Sequence, residues 1–172
     1  MKILVINDDG ITARGIWAAV RALRRVGEVV VVAPDRQQSG VGASLTLHAP
    51  VKAGEWTVEP EFQTNGEGLH PVSAFSVEGT PGDSCILALE TLVKDVDLVV
   101  SGINAGSNVG SDVMVSGTVG GAVQGFVRGI NTIAISVAAV TDTKYDIAEK
   151  ILEPLANKFM DHTGEPLFLN VN

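Results

Sequence analysis

Four apolar runs of strand length constrain the fold of this chain more than any other feature. Residues 3–6, 29–33 and 98–100 are continuously apolar, and residues 132–137 are rich in β-branched side chains. Runs without polar alternation are typical of strands that are covered on both faces, as in a parallel sheet between two layers of helices. We therefore expect a mostly parallel sheet.

Helical patterns separate these runs. Apolar positions with helical spacing mark four segments, at residues 14–26, 83–93, 118–128 and 145–159. In the first of them, Ile16, Val20 and Leu23 recur on one helix face. The alternation predicts an α/β fold for residues 1–172, with a Rossmann-like, doubly wound, mostly parallel sheet and helices on both faces in a single domain. Because connections between parallel strands are almost always right-handed, we expect the helices to lie on both faces of the sheet.

Two stretches interrupt the alternation of strand and helix. Residues 35–71 are expected to hold a hairpin or extra strands, at residues 51–58 and with a partner at residues 72–77. Residues 101–117 are predicted to form a long glycine-rich loop. Loops of that length inside a compact domain are usually functional.

Charge and composition limit the partners of the chain. A net charge of −8 argues against polymeric nucleic acid, whose phosphates would be repelled. No segment approaches the roughly 20 apolar residues that span a bilayer, and Asp8 interrupts the apolar start before it could form a signal peptide. The single cysteine, Cys85, excludes an intrachain disulfide. We therefore predict a cytoplasmic protein with no membrane partner.

Two adjacent carboxylates, Asp8 and Asp9, follow the first predicted strand. Ligands of open α/β sheets bind outside the carboxyl ends of the strands. A turn at Gly10 would let both carboxylates approach one point, where two like charges require a cation. Carboxylate oxygens suit Mg²⁺, Mn²⁺ or Ca²⁺. The alternative is that Asp9 caps the next helix while Asp8 faces solvent.

Two glycine-rich segments follow other strands. Residues 39–44 have glycines at alternate positions, which permits a close approach to a ligand, although taken by itself this segment is better explained as an ordinary surface loop. In residues 101–110, Asn104 and Asn108 could supply an amide oxygen to a metal or an amide donor to a phosphate. The alternative is a turn in which asparagine tolerates left-handed backbone angles.

A fourth candidate cluster lies where Ser116, Gly117 and Thr118 are predicted to begin a helix. The exposed N–H groups and the positive end of the helix dipole form an anion site, to which the two hydroxyls add donors. Ser116 or Thr118 could instead cap the helix. The two interpretations are compatible.

Together these segments resemble the family of survival protein E, the SurE phosphatases. Five motifs carry the resemblance in the family's order, namely residues 1–10, Ala33-Pro34 followed by Ser39-Gly40, Gly79-Thr80-Pro81-x-Asp83, residues 101–110 and Ser116-Gly117-Thr118-Val119-Gly120. The resemblance extends across essentially the whole chain. It implies a phosphoric monoester hydrolase that converts nucleoside 5′- and 3′-monophosphates to nucleoside and phosphate.

The resemblance also implies a cofactor and its ligands. One divalent ion, Mg²⁺ or Mn²⁺ with Ca²⁺ as a substitute in crystals, would be held by Asp8, Asp9, Ser39 and Asn104. The residues expected around the phosphate are Asn108, Ser116, Gly117 and Thr118. Asp8 and Asp9 are the expected catalytic residues, and either could orient the attacking water or attack phosphorus directly.

Some features depart from the family pattern. Ser84 stands where the family commonly has cysteine, and Val115 where a tyrosine often precedes Ser116. Both departures are expected to affect substrate preference rather than chemistry. Family members continue beyond the position that matches Asn172, so the C-terminal part of the family fold is expected to be absent from residues 1–172. Members are cytoplasmic and form dimers or tetramers, which makes a homodimer or tetramer the expected assembly.

A receiver domain of two-component signalling is the main alternative. Such a domain also begins with a short strand and an acidic pair that binds Mg²⁺. It needs a phospho-accepting aspartate near residues 50–60, where this chain has none. A dinucleotide-binding module is also disfavoured because the first strand is not followed by G-x-G-x-x-G.

Overall fold

A seven-stranded sheet lies at the centre of the fold. The structure is a computed structural model that describes residues 1–63 and 66–172. The strands are β1 (Lys2–Ile6), β2 (Glu28–Pro34), β3 (Ala53–Glu55), β4 (Val72–Val77), β5 (Leu98–Ala105), β6 (Asn131–Val137) and β7 (Phe168–Val171). The helices are α1 (Arg14–Leu23), α2 (Pro60–Gln63), α3 (Pro81–Leu87), α4 (Gly117–Phe126) and α5 (Asp146–Met160).

The order of the strands confirms the predicted fold class. It is β3-β4-β2-β1-β5-β6-β7, and every neighbouring pair is parallel except β3 with β4. Without the short β3, this is the 3-2-1-4-5-6 order of a doubly wound Rossmann sheet. In a receiver domain the third strand lies beside the first, whereas β1 here lies between β2 and β5. The receiver interpretation is therefore wrong.

Alternate residues of the buried strands belong to two separate cores. Ile3 and Val5 of β1 pack in the core that contains α1 and α5. Leu4 and Ile6 pack in the core that contains Cys85 of α3. Burial raises the pKa of the Cys85 thiol to about 12. Cys85 is fully buried in this core and only a thiolate is strongly nucleophilic, so Cys85 is a packing residue.

The crossover through α5 departs from the handedness rule. The chain crosses the sheet in opposite directions between β1 and β2 and between β6 and β7, yet α1 and α5 lie on the same face. The two crossovers therefore have opposite hands. Helices α3 and α4 lie on the opposite face of the sheet, and their crossovers run in the opposite direction to the one through α1, so all three crossovers have the same hand. Because nearly all such crossovers are right-handed, the exception through α5 is the left-handed one. Leu152 of α5 packs in the same core as Ile133 and Ile135 of β6, and covering this apolar surface outweighs the usual preference.

The two interrupting stretches differ in their outcome. Strands β3 and β4 confirm the extra strands expected at residues 51–58 and 72–77, while α2 was not expected, and residues 64 and 65 lie outside the described residues. The expected loop at 101–117 is partly wrong because β5 continues to Ala105. After a register shift, Asn104 pairs with Ser136 of β6. Among residues 1–63 and 66–172, none of the helices combines the length and the hydrophobicity that a membrane span requires.

Asp83 fastens the loop that follows β2 to the start of α3. Its Oδ1 accepts a hydrogen bond from the Thr46 N–H at 2.9 Å, and its Oδ2 accepts from the Thr46 hydroxyl at 2.6 Å and the Thr80 N–H at 2.9 Å. The Thr80 hydroxyl accepts in turn from the Asp83 N–H, completing a capping box. Burial raises the pKa of Asp83, but the hydrogen bonds from Thr46 and Thr80 outweigh it, so the pKa is lowered overall.

We expect Asp83→Asn to lower the free energy of unfolding at pH 7 by about 1.5–3 kcal/mol, the usual contribution of hydrogen bonds to a charged group. Because the pKa of Asp83 is lower in the folded than in the unfolded protein, this stability is present above the unfolded pKa of about 3.9 and is lost as pH falls through the folded pKa. Urea denaturation from pH 7 to pH 3 measures the difference. A difference that does not shrink on acidification would contradict this role, and Asp161→Asn at an exposed position is the control.

Candidate functional site

The predicted clusters meet at the carboxyl ends of the adjacent strands β1 and β5. Between these two strands the strand order reverses, which makes this the topological switch point of the sheet. Ligands of doubly wound sheets bind at this switch point. The chain turns directly after β1 at Gly10, whose φ of +94° favours glycine. The Asn7 side-chain amide donates to the Gly10 carbonyl at 2.9 Å and closes the turn. This turn places Asp8 and Asp9 at the carboxyl end of β1, beside the switch point.

An open cleft of about 240 Å³ occupies this end of the sheet. It is lined by five of the residues expected to bind metal or substrate, namely Asp8, Ser39, Asn104, Asn108 and Ser116. Asp9 lies beside it, where its Oδ2 accepts from the Ala105 N–H at 3.5 Å. Gly117 and Thr118 begin α4 next to Asp8. The structure thus brings all eight predicted residues to one place.

Asp8 is only 4% exposed and is held by Thr118. The fully buried Thr118 hydroxyl donates to Asp8 Oδ1 at 2.5 Å. Burial raises the pKa of Asp8, the Thr118 hydrogen bond lowers it and the charge of Asp9 raises it, and the pKa is raised overall. We expected this hydroxyl to face the phosphate. It is instead committed to the carboxylate, so a contact between Thr118 and phosphate stays an untested prediction.

Gln37 connects Asp9 to Ser39. Its side-chain amide donates to Ser39 Oγ at 3.0 Å and also bonds to Asp9. Burial raises the pKa of Asp9, the Ala105 N–H and Gln37 lower it, and the pKa is raised overall. Gln37 was not predicted as a site residue, because an exposed glutamine in a loop gives no local signal of such a contact.

Asn104 lines the cleft, and its amide oxygen is the atom that is free to bind a ligand there. Its side-chain nitrogen donates to the Gly106 carbonyl at 2.7 Å, which leaves the oxygen as the available ligand. Asn104 is 8% exposed and lies within β5, beyond the register shift, rather than in the loop that we expected. A buried neutral oxygen on a strand is a well-fixed ligand for a hard cation.

The start of α4 forms the wall of the cleft next to Asp8. Ser116 is the N-cap, and its hydroxyl oxygen accepts from the Val119 N–H at 3.1 Å, which confirms the capping interpretation. A Cβ atom at Gly117 would lie 2.7 Å from the Asp8 Cβ and 3.0 Å from its Oδ2. Only glycine allows the helix to begin this close to the carboxylate.

The donor set fits a divalent cation. Asp8 and Asp9 form no ion pair with Lys, Arg or His in the described residues. Burial raises the pKa of both carboxyls, and the charge of Asp9 raises that of Asp8 further. Residues 1–63 and 66–172 contain no group of three His, Cys, Asp or Glu side chains that could hold a metal. An ion here would therefore use two carboxylates and neutral oxygens such as those of Ser39 and Asn104. Such a set suits Mg²⁺ or Mn²⁺.

Comparison with known proteins agrees with the motifs and the fold. The family model described as survival protein SurE matches residues 3–172. A relative named 5′-nucleotidase SurE from Dehalococcoides mccartyi strain 195 is 44% identical over 180 residues, covering 100% of this chain and 63% of the relative. Another with the same name, from Geobacter metallireducens, is 46% identical over 176 residues and covers 100% of this chain and 64% of its own length.

A solved structure shares the fold. The crystal structure of the SurE protein from Aquifex aeolicus matches with a TM-score of 0.81 and 35% sequence identity. The match covers 100% of this chain and 66% of that one. The chain thus spans slightly less than two thirds of the length of these relatives.

Proposed function

Because the chain belongs to the family of survival protein SurE, we propose that it is a metal-dependent phosphomonoesterase that hydrolyses nucleoside 5′- and 3′-monophosphates to nucleoside and phosphate. The observation that carries the proposal is the single cleft lined by Asp8, Ser39 and Asn104 at the switch point of the sheet. The name 5′-nucleotidase, which the relatives bear, supports the substrate class.

Four residues would hold the ion, namely Asp8, Asp9, Ser39 and Asn104. A bound Mg²⁺ or Mn²⁺ polarises a phosphoryl group and lowers the pKa of an attacking water. The protein fixes both carboxylates before the substrate arrives, since Thr118 holds Asp8 while Gln37 and the Ala105 N–H hold Asp9. Either carboxylate could then orient the water or attack phosphorus, and Asp8 and Asp9 are our proposed catalytic residues.

The beginning of α4 would bind the phosphate. The N–H of Val119 donates to the Ser116 hydroxyl, and the N–H of Thr118 is near enough to Asp8 to lower the pKa of that carboxyl. We therefore assign the N–H of Gly117 to a phosphate oxygen, where the positive end of the helix dipole adds to the attraction. Donors aimed at the equatorial oxygens stabilise the charge that develops during phosphoryl transfer. Asn108 and the hydroxyl hydrogen of Ser116, which both line the cleft, complete the proposed set.

The proposal extends to location and assembly. A cytoplasmic homodimer or tetramer, without polymeric nucleic acid or membrane as a partner, is what the family resemblance and the net charge of −8 support. Because the chain spans 63% of the length of the Dehalococcoides relative, the dimer or tetramer is proposed for the full-length family fold and not for residues 1–172 alone.

Release of inorganic phosphate tests the function directly. We expect hydrolysis of nucleoside 5′- or 3′-monophosphates in the presence of Mn²⁺ or Mg²⁺, loss of the activity in excess chelator, and its return when the metal is restored. Calorimetric titration with Mn²⁺ should show one site per chain. Turnover that survives the chelator would exclude the metal mechanism, and a metal-loaded protein that hydrolyses no nucleotide in the panel would exclude the substrate class.

A further inference from the structure

Strand β7 does more than complete the edge of the sheet: we propose that its Asn170 and the adjoining Asn172 are positioning residues for the cleft loop, defined as residues 106–110. The proposal rests on the proposed function and names how one wall of that site is held. Neither residue lines the cleft, so both act through Asn108, which does.

Asn108 is anchored by its main chain to β7 and the residue that follows it. Its N–H donates to Asn172 Oδ1 at 2.7 Å, and its carbonyl accepts from Asn170 Nδ2 at 2.8 Å and more weakly from Asn172 Nδ2 at 3.4 Å. Side-chain amides offer a donor and an acceptor together, so they can satisfy a loop peptide as a neighbouring strand would. The two asparagines thereby supply the backbone partners that the loop would otherwise lack.

The side chain of Asn108 is anchored separately to β6. Its Nδ2 donates to the buried hydroxyl of Ser136 at 2.9 Å. Asn108 is therefore only 7% exposed although it lies in a loop. Gly106, at the start of the loop, donates its N–H to the Val137 carbonyl at 2.9 Å. Anchors from both β6 and β7 thus fix the loop where it lines the cleft.

The alternation of β7 explains how one short strand serves two purposes. Leu169 and Val171 pack against the core that contains α1 and α5. Because successive strand residues point to opposite faces, Asn170 and Asn172 share the other face. Phe168, which also lies on that face, packs beside α4. Apolar residues hold β7 to the domain on one face, while its asparagines reach the cleft loop on the other.

The two asparagines use opposite ends of their side-chain amides, which allows the two roles to be tested separately. Asn170 donates to a carbonyl, whereas Asn172 mainly accepts from an N–H. Aspartate keeps the acceptor and loses the donor. Asn170→Asp and Asn172→Asp therefore add the same charge to the same strand face. The first replaces the 2.8 Å donor to the Asn108 carbonyl by a carboxylate oxygen. The second keeps the 2.7 Å bond from the Asn108 N–H and loses only the weaker contacts of Asn172 Nδ2, at 3.4 Å to the Asn108 carbonyl and 3.3 Å to Asn170 Oδ1.

We expect Asn170→Asp to raise KM for the nucleotide about fivefold to tenfold, as for the loss of one well-formed hydrogen bond. The affinity for Mn²⁺ should change by less than about twofold, because Asp8 and Asp9 are untouched, whereas kcat should fall as KM rises, because Asn108 belongs to the donor set proposed for the phosphate. Asn172→Asp should raise KM clearly less than Asn170→Asp, because it keeps its 2.7 Å bond and loses only contacts of 3.3–3.4 Å. An equal rise of KM in both variants would show charge repulsion and overturn the proposal, as would no rise in either.

Hydrogen exchange separates failure of this proposal from failure of the proposed function. Exchange of the peptide that contains residues 106–110 should be faster in Asn170→Asp than in Asn172→Asp, whether or not the protein hydrolyses a nucleotide. Identical exchange in the two variants would overturn the positioning role. If Asn170→Asp does not fold, Asn170→Ala with Asn157→Ala on the exposed side of α5 as its control provides the same comparison.

Discussion

Replacing Asp8 with asparagine should reduce metal-dependent phosphate release by about a thousandfold or more, while the protein stays folded. A catalytic metal supplies several kcal/mol of transition-state stabilisation, and each 1.36 kcal/mol corresponds to a factor of about ten in rate. The introduced amide would keep an oxygen that can accept the Thr118 hydrogen bond but would remove one of the two negative charges that the ion requires. The measurement is phosphate release at saturating Mn²⁺, together with the affinity for Mn²⁺.

Stability provides the control for this variant. Asp8 and Asp9 repel each other in a buried setting without a cationic partner among the described residues, so asparagine should leave the unfolding temperature of the metal-free protein unchanged or raise it. Asp161→Asn, an equal loss of charge at an exposed position, should retain wild-type turnover. Wild-type turnover in Asp8→Asn would remove Asp8 from the mechanism.

The strands were predictable because burial on both faces leaves a local signature in the sequence. The runs at residues 3–6 and 29–33 became β1 and β2 with bounds shifted by a single residue at each changed end. The hand of the α5 crossover was not predictable from the general rule. Strand alternation places Ile133 and Ile135 on one face, but whether that face remains to be covered by α5 is decided only once the sheet and the other helices are assembled.

Local composition misled the prediction for the end of β5. Glycine and asparagine in residues 101–105 favour turns, but here they belong to a strand that pairs with β6 through Asn104 and Ser136. Those two residues are separated by 32 positions in the chain. Pairing over such a separation overrides weak local preferences, and no local pattern reports it.

The polar residues of the site divide in the same way. Asp8 and Asn104 were predictable because they follow or end central strands, where the fold class places ligands. The contact of Asp8 with Thr118 and that of Asn108 with Asn170 join residues 110 and 62 positions apart. Five of the predicted residues line the cleft, but the contacts that hold them in place could not be predicted.

The other large effect is expected for Gly117→Ala, which should lower kcat/KM by about a hundredfold. Alanine normally stabilises a helix relative to glycine. At this position its Cβ would lie 2.7 Å from the Asp8 Cβ and 3.0 Å from Asp8 Oδ2, so either the carboxylate or the start of α4 must move. A misplacement of about 1 Å can cost a hundredfold in rate. Steady-state kinetics and the affinity for Mn²⁺ measure the effect, which should appear in both because Asp8 is the group displaced.

The matched control is Gly54→Ala, because a Cβ at Gly54 in β3 would meet no heavy atom within 4 Å. That variant should retain wild-type kinetics and metal affinity. Gly117→Ala separates two explanations for the glycine at the start of α4. If the residue serves only the helix, alanine will raise the unfolding temperature and leave turnover intact. If it is required by the approach of α4 to Asp8, turnover and metal affinity will fall together even in a fully folded protein.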